Sequence, residues 1–338
     1  MYQSVLQPVE RRRRRRRRRL RPLLLGLLLA GVLAATAIGA VDASLRNRAL
    51  FRDGKKPVHR AAVQPKPPAA AATPVRRPAP RPLRLLLPAL PPPHTFSRPL
   101  HTPEAILVDA ATGRVLYARR PHQQRPIAST TKIMTAVLAI ELLDPAHQVR
   151  IPWYVPRTAP FREGLRRGER VPVWKLLYGL MLFSGNDDAV ALAAATGGKA
   201  HFIRLMNDKA RQLGLRNTRF TTPSGVLDRG NHSSAWDLAA LARYAMESPR
   251  FRTLAATRTK HVPWSAPTFE KVYVNKNHLL GHYRGADGVK TGWTTLAGHC
   301  LVASAHRGGR RLIAVVLHST DPYGDARRLL NFGFETSS

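Results

Sequence analysis

Ser129 and Lys132 stand three residues apart in IASTTKIMTA (residues 127–136), at the head of a stretch that is apolar on nearly every side. From Ile133 to Leu143 the chain runs IMTAVLAIELL, with Glu141 its only charge. A helix hydrophobic all round belongs inside a domain or a membrane, and this run is too short to cross a bilayer. The spacing therefore predicts a buried core helix with both side chains stacked on one face of its first turn. A lysine placed there is disfavoured as a cation, because burial and the positive end of the helix dipole both favour the neutral amine. A neutral amine is what a lysine needs to act as a base toward a neighbouring hydroxyl. A Ser-x-x-Lys pair also arises by chance on the order of once in a chain this long, so the rest of the sequence decides its meaning.

The elements that must hold such a pair follow from hydrophobic periodicity. AILVDA (105–110) and RVLYA (114–118), separated by Thr112-Gly113, predict a hairpin near the start of the globular part. WKLLYGLML (174–182), DDAVALAAAT (187–196), HFIRLMNDKARQLG (201–214) and AWDLAALARYAM (235–246) carry helical spacing, with Gly214 as a C-cap. Short strands are expected at KVYVN, GVKTGW, CLVASA and LIAVVLHS, and DARRLLNFGF predicts a closing helix. Strands at both ends with helices between them imply an α/β (α+β) fold whose sheet joins the first strands to the last.

Two more elements sit within this frame. Ser184-Gly185-Asn186 falls at a helix-to-helix junction, and Lys290-Thr291-Gly292 opens a predicted strand. Ser-x-x-Lys, Ser-x-Asn and Lys-Thr-Gly in this order are the motif set of penicillin-binding proteins and serine β-lactamases. Beyond the trio, IASTTKIMTA, LLYGLMLFSGNDDAVALA, FIRLMNDKARQLGLRNTRF and DGVKTGWTTLAGHCLVASA resemble the low-molecular-mass D-alanyl-D-alanine carboxypeptidases, the DacA-type serine peptidases, across about residues 100–335. The resemblance implies a penicilloyl-serine transferase fold, an antiparallel sheet flanked by helices plus an all-helical lobe. It implies Ser129 as the acylated nucleophile, Lys132 as its base and Ser184 as proton relay to the leaving D-alanine. Asn186 would orient substrate and Lys132, Lys290 and Thr291 would hold the terminal carboxylate, and Gly292 and Trp293 would complete the substrate-binding set. The backbone N–H groups of Ser129 and Trp293 would form the oxyanion hole. The implied partners are peptidoglycan stem peptides, with β-lactams as inhibitors, and no cofactor is implied. Members without the common second, β-rich domain include D,D-endopeptidases that cut cross-links, and the AGHC after Lys-Thr-Gly suits those as well.

Other readings lose ground on particular residues. A class A β-lactamase needs a glutamate for its deacylating water, and no Glu lies between Asn186 and Met246. An inactive membrane-tethered scaffold would tolerate loss of a motif residue, yet the trio is intact. The thirteen histidines show no metal-ligand spacing, so no metal is implied. Cys300 is the sole cysteine and lies in an apolar run, where it reads as a buried small hydrophobe. Asp187 and Asp188 fall at a helix start and read as dipole-favoured first-turn acids, His299 and His318 as packing or solvated surface, and Trp293 as a cleft wall or a packed ring.

The formal charge of +35 raises nucleic acid or an anionic membrane as partner. Residues 1–99 hold 22 Lys+Arg against 3 Asp+Glu, and the arginine run Arg11–Arg19 has no interleaved aromatics, so specific nucleic-acid binding is not expected. Residues 1–22 read as a cytoplasmic polybasic segment and 23–41 as an apolar span just long enough to cross a membrane, which cations ahead of it would orient outward. The same span could be a cleaved signal peptide, with Ala35 and Ala37 at its small-residue site; its length favours an uncleaved anchor. Residues 42–98, rich in Pro, Ala and Arg, read as a disordered linker, and 99–338 as the catalytic domain. The expected location is the inner membrane, single-pass, with the domain on the periplasmic or extracytoplasmic side.

Overall fold

In a computed structural model the described residues are 96–226, 230–264 and 270–336. The polybasic segment 1–22, the span 23–41 and all but the end of the linker 42–98 lie outside them. Among the described residues no helix is long and apolar enough to cross a membrane.

The hairpin forms as expected from β1 (Glu104–Asp109) and β2 (Val115–Arg119), joined through Gly113 at φ 76°. A 3₁₀ turn, Ala128–Thr131, feeds α1 (Lys132–Leu142). A two-stranded ribbon follows, β3 (Gln148–Arg150) with β4 (Arg170–Pro172). Next come α2 (Val173–Tyr178), a widened π turn over Gly179–Phe183, α3 (Asn186–Ala195) and α4 (Lys199–Gln212). After α5 (Ala235–Ala245) and α6 (Pro249–Ala256), β5 (Thr259–Val262) pairs with β6 (Lys271–Val274). The chain closes with β7 (Ala286–Thr294), β8 (Gly298–Arg307), β9 (Arg310–Ser319) and α7 (Pro322–Glu335).

The main sheet is antiparallel in the order β2-β1-β9-β8-β7, so the last strand inserts beside the first, as the pattern of strands at both ends required. Its central strands are apolar on both faces because both faces are covered. Ile106, Val108, Val302, Ile313, Val315 and Leu317 point into the larger core with α1, α3, α5 and α6. Their alternating neighbours Leu107, Leu301, Ala303, Leu312 and Val316 face α7 through Ala326, Leu329 and Leu330. Burying an aliphatic side chain contributes about 1.5–3 kcal/mol, so both covered faces stabilise the sheet, and the β7–β8 ladder sets where Lys290-Thr291-Gly292 lies within it.

Two expectations are refined. The lobe is not purely helical, since it carries the β3–β4 and β5–β6 ribbons, and the KVYVN strand pairs with β5 outside the main sheet. The helix expected over 174–182 ends early, at Tyr178, and opens into the π turn that delivers Ser184 at φ 71°.

Candidate active site

Local sequence explains how the serine is presented. Ala128 takes φ 46°, the Thr130 hydroxyl donates to Ile127 O at 2.6 Å, and the resulting tight turn lifts Ser129 just ahead of the first residue of α1, Lys132. Behind it, Gly225 at φ 77° packs so closely that a side chain would collide with the Ala128 carbonyl. Only glycine meets both demands.

Lys132 is completely buried and its Nζ lies 3.0 Å from Ser129 Oγ, 2.8 Å from Asn186 Oδ1 and 3.0 Å from the Ser224 carbonyl. The Asn186 and Ser224 oxygens can only accept, so a neutral amine spends its two hydrogens on them and turns its lone pair toward the serine hydroxyl. Burial first, then the Lys290 charge and that of Lys276, hold the Lys132 amine well below the usual lysine range; Asp188 and Asp187 oppose this. The expectation of a depressed lysine is thus met by desolvation and a like charge. Asn186 is fixed in turn, because its amide donates to Pro160 O and its backbone N–H to Phe161 O.

Ser184, Asn186, Thr291, Gly292 and Trp293 converge with Ser129 on one cleft, a cavity of about 570 Å³ whose lining does not include the buried Lys290. Ser184 makes no side-chain hydrogen bond to Lys132 in this state. Gly292 lets β7 run against the serine turn: a methyl group there would stand 2.9 Å from Ser129 N and 3.0 Å from Ile127 O. Lys290 is 2 % exposed and donates to Thr291 O at 3.2 Å; burial, and then Lys276, bring it down to about 7. Trp293 is 54 % exposed, so it is a cleft wall and not a packed ring. Cys300, at the floor of the cleft, is buried with its thiol pushed up to about 11 by burial, an unreactive state. His299 and His318 are both exposed, and His318 Nδ1 lies 3.1 Å from Ala297 O.

Some participants carried no readable signal. The Ser224 carbonyl belongs to a Pro-Ser-Gly turn that is recognisable as a turn but not as a lysine acceptor. Lys276 lines the cleft between the rings of Phe161 (5.2 Å) and Phe183 (4.9 Å). Asn277 supports β7 by donating to Gly288 O at 2.8 Å. Asp187 and Asp188 do occupy the first turn of α3, but both are fully buried and neither caps it. Asp187 instead accepts from the backbone N–H groups of Glu163, Gly164 and Leu165 and pins the loop that borders the cleft.

A buried Ser-Lys couple completed by an amide and facing a cleft can perform acyl transfer, with the serine as nucleophile and the amine as base. Comparison with known proteins agrees with that chemistry. Residues 94–321 match the peptidase S11 family, D-alanyl-D-alanine carboxypeptidase. The D-alanyl-D-alanine carboxypeptidase DacF of Bacillus subtilis (strain 168) is 36 % identical over 240 residues, which cover 68 % of this chain and 61 % of the relative. This chain therefore spans less than two thirds of that relative's length. A D-alanyl-D-alanine endopeptidase of Pseudomonas aeruginosa is 34 % identical over 252 residues, covering 71 % of this chain and 81 % of the relative. The crystal structure of the Streptomyces K15 DD-transpeptidase superposes with a TM-score of 0.66 at 35 % identity, covering 70 % of this chain and 98 % of that one. The match in sequence, in fold and in the order of the three motifs makes this chain a member of the D-alanyl-D-alanine carboxypeptidase family.

Proposed function

We propose that the chain is a serine-type D-Ala-D-Ala carboxypeptidase that removes the terminal D-alanine of peptidoglycan stem peptides and is acylated by β-lactams. The observation that carries this reading is the Lys132 amine, buried and lowered in pKa, 3.0 Å from Ser129 Oγ and held by two acceptors. Ser129 Oγ attacks the carbonyl carbon of the penultimate D-alanine while its proton passes to Lys132 Nζ. Collapse breaks the C–N bond, and the proton reaches the leaving amine with Ser184 as relay. Water then cleaves the ester and releases the shortened peptide. The N–H groups of Ser129 and Trp293 face the developing oxyanion. Lys290 and Thr291 favour the terminal carboxylate, and Lys276, the cation half-buried in the cleft wall, adds to that attraction. Residues 23–41 anchor the protein in the inner membrane, and the domain works on the extracytoplasmic side; the sequence pattern alone supports this part.

A second reading, D,D-endopeptidase action on cross-links, is favoured by the similarity to the Pseudomonas endopeptidase. Incubation with purified pentapeptide monomers and cross-linked dimers separates the two. Free D-alanine from monomers is the expected product. Dimer cleavage without free D-alanine makes the chain an endopeptidase, and no product from either leaves a scaffold.

A further inference from the structure

Beneath Ser184-Gly185-Asn186 lie two carboxyl groups that the reaction above does not use. The Glu163 side chain is 1 % exposed and Asp188 is fully buried. Glu163 Oε1 accepts from Lys271 Nζ at 3.0 Å and from the Tyr273 hydroxyl. Glu163 Oε2 and both Asp188 oxygens have no hydrogen-bond partner. All three crowd one point: a methyl group on Gly179 would collide with Glu163 Oε2 and stand 2.6 Å from each Asp188 oxygen, and one on Gly185 would collide with Asp188 Oδ2. Gly179 and Gly185 flank the turn that carries Ser184, and Gly185 N donates to Gly179 O at 3.1 Å. The carboxyl pair fills the space these glycines leave.

Two ionised carboxylates packed this closely repel each other, and a single proton between them joins Glu163 Oε2 to one Asp188 oxygen. Lys271 and Tyr273 already bond the other Glu163 oxygen, so Glu163 Oε2 is the free acceptor that faces Asp188. Asp188 carries the proton: burial first, then the neighbouring Glu163 and Asp187, push it well above the usual carboxylate range, against Lys271. The charged groups that bear on Lys132 are Lys290 and Lys276 on one side and Asp188 and Asp187 on the other. An ionised Asp188 would favour the lysine cation.

We propose that Glu163 and Asp188 share one buried proton and act as positioning residues for the Ser129–Lys132 couple, wedging the Ser184 turn in place and keeping an anion away from Lys132. This rests on the acyl-transfer reading above. Two nearly isosteric variants of the full chain test it through the pH profile of penicillin acylation. In Glu163→Gln the amide donates to Asp188, which ionises and favours charged Lys132, so the acid limb moves up by about one pH unit. In Asp188→Asn the amide donates to Glu163 Oε2 and a neutral group stays beside Lys132, so the limb stays where it is and the plateau rate holds within about threefold. A merely structural role lowers both rates and moves neither limb, which would overturn the proposal, as would a displaced limb in Asp188→Asn.

A second measurement needs no folded Glu163→Gln. The infrared spectrum of the wild type at neutral pH is expected to contain a protonated-carboxyl C=O band, sensitive to deuterium exchange and missing from Asp188→Asn; a null difference spectrum would refute the shared proton. If the wild type is not acylated, the acyl-transfer reading fails. The pair's role at Lys132 falls with it, while the band still decides the proton.

Discussion

Lys132 shows how one side chain's surroundings become a reaction. Its amine is useful only when neutral, so acylation of Ser129 is expected to fall about tenfold for each unit that pH drops below the depressed pKa and to level off above it. Lys132→Arg puts a cation that cannot lose its proton where the reaction needs a neutral amine, and should reduce acylation by at least about a thousandfold. Stopped-flow acylation by a reporter β-lactam checks this; a variant within tenfold of wild type would remove Lys132 as base. Lys290 permits a stability test. Burial brings it down to about 7 in the folded chain against about 10.4 in the unfolded one, so between these values the unfolded chain binds more protons and stability rises with pH. Measured against Lys290→Met, wild type should gain about 1.4 kcal/mol per pH unit across that window in urea unfolding. A pH-independent difference would mean that Lys290 stays charged.

Close approach of elements, more than any single contact, sets the site. β7 touches the serine turn at Gly292, where a methyl group would meet backbone at 2.9–3.1 Å. Gly292→Ala is therefore expected to slow acylation about tenfold or more while shifting the melting temperature by only a few degrees. An unchanged rate would show that the contact is slack. The same elements mark what could be read beforehand. The hairpin, α1, α4, α5 and the closing strands are long enough for their apolar spacing to speak, and their packing followed it. Of the two ribbons only the KVYVN strand could be read; β3, β4 and β5 are three or four residues each, too short for alternation to register. α6 did carry a signal, Ser248 as N-cap followed by Pro249, which passed unread. The π turn before Ser184 packs on the buried Glu163–Asp188 pair, a long-range contact that local periodicity cannot report.

Across the whole molecule, the sheet joins chain ends far apart in sequence and so brings Lys290-Thr291-Gly292 against a serine met more than a hundred residues earlier. The three motifs were legible because each is short and local, and their convergence follows from β7 lying at the sheet edge beside the serine turn. Ser224, Lys276 and Glu163 were not, because they enter the site only through that assembly. The central claim is that this assembled cleft makes Ser129 an acyl-accepting nucleophile. Its most direct test is mass spectrometry of the full chain after incubation with penicillin, with peptide mapping and Ser129→Ala in parallel. The account predicts one covalent adduct that maps to Ser129 and is absent from the variant. No adduct, or an adduct that persists in Ser129→Ala, would contradict it.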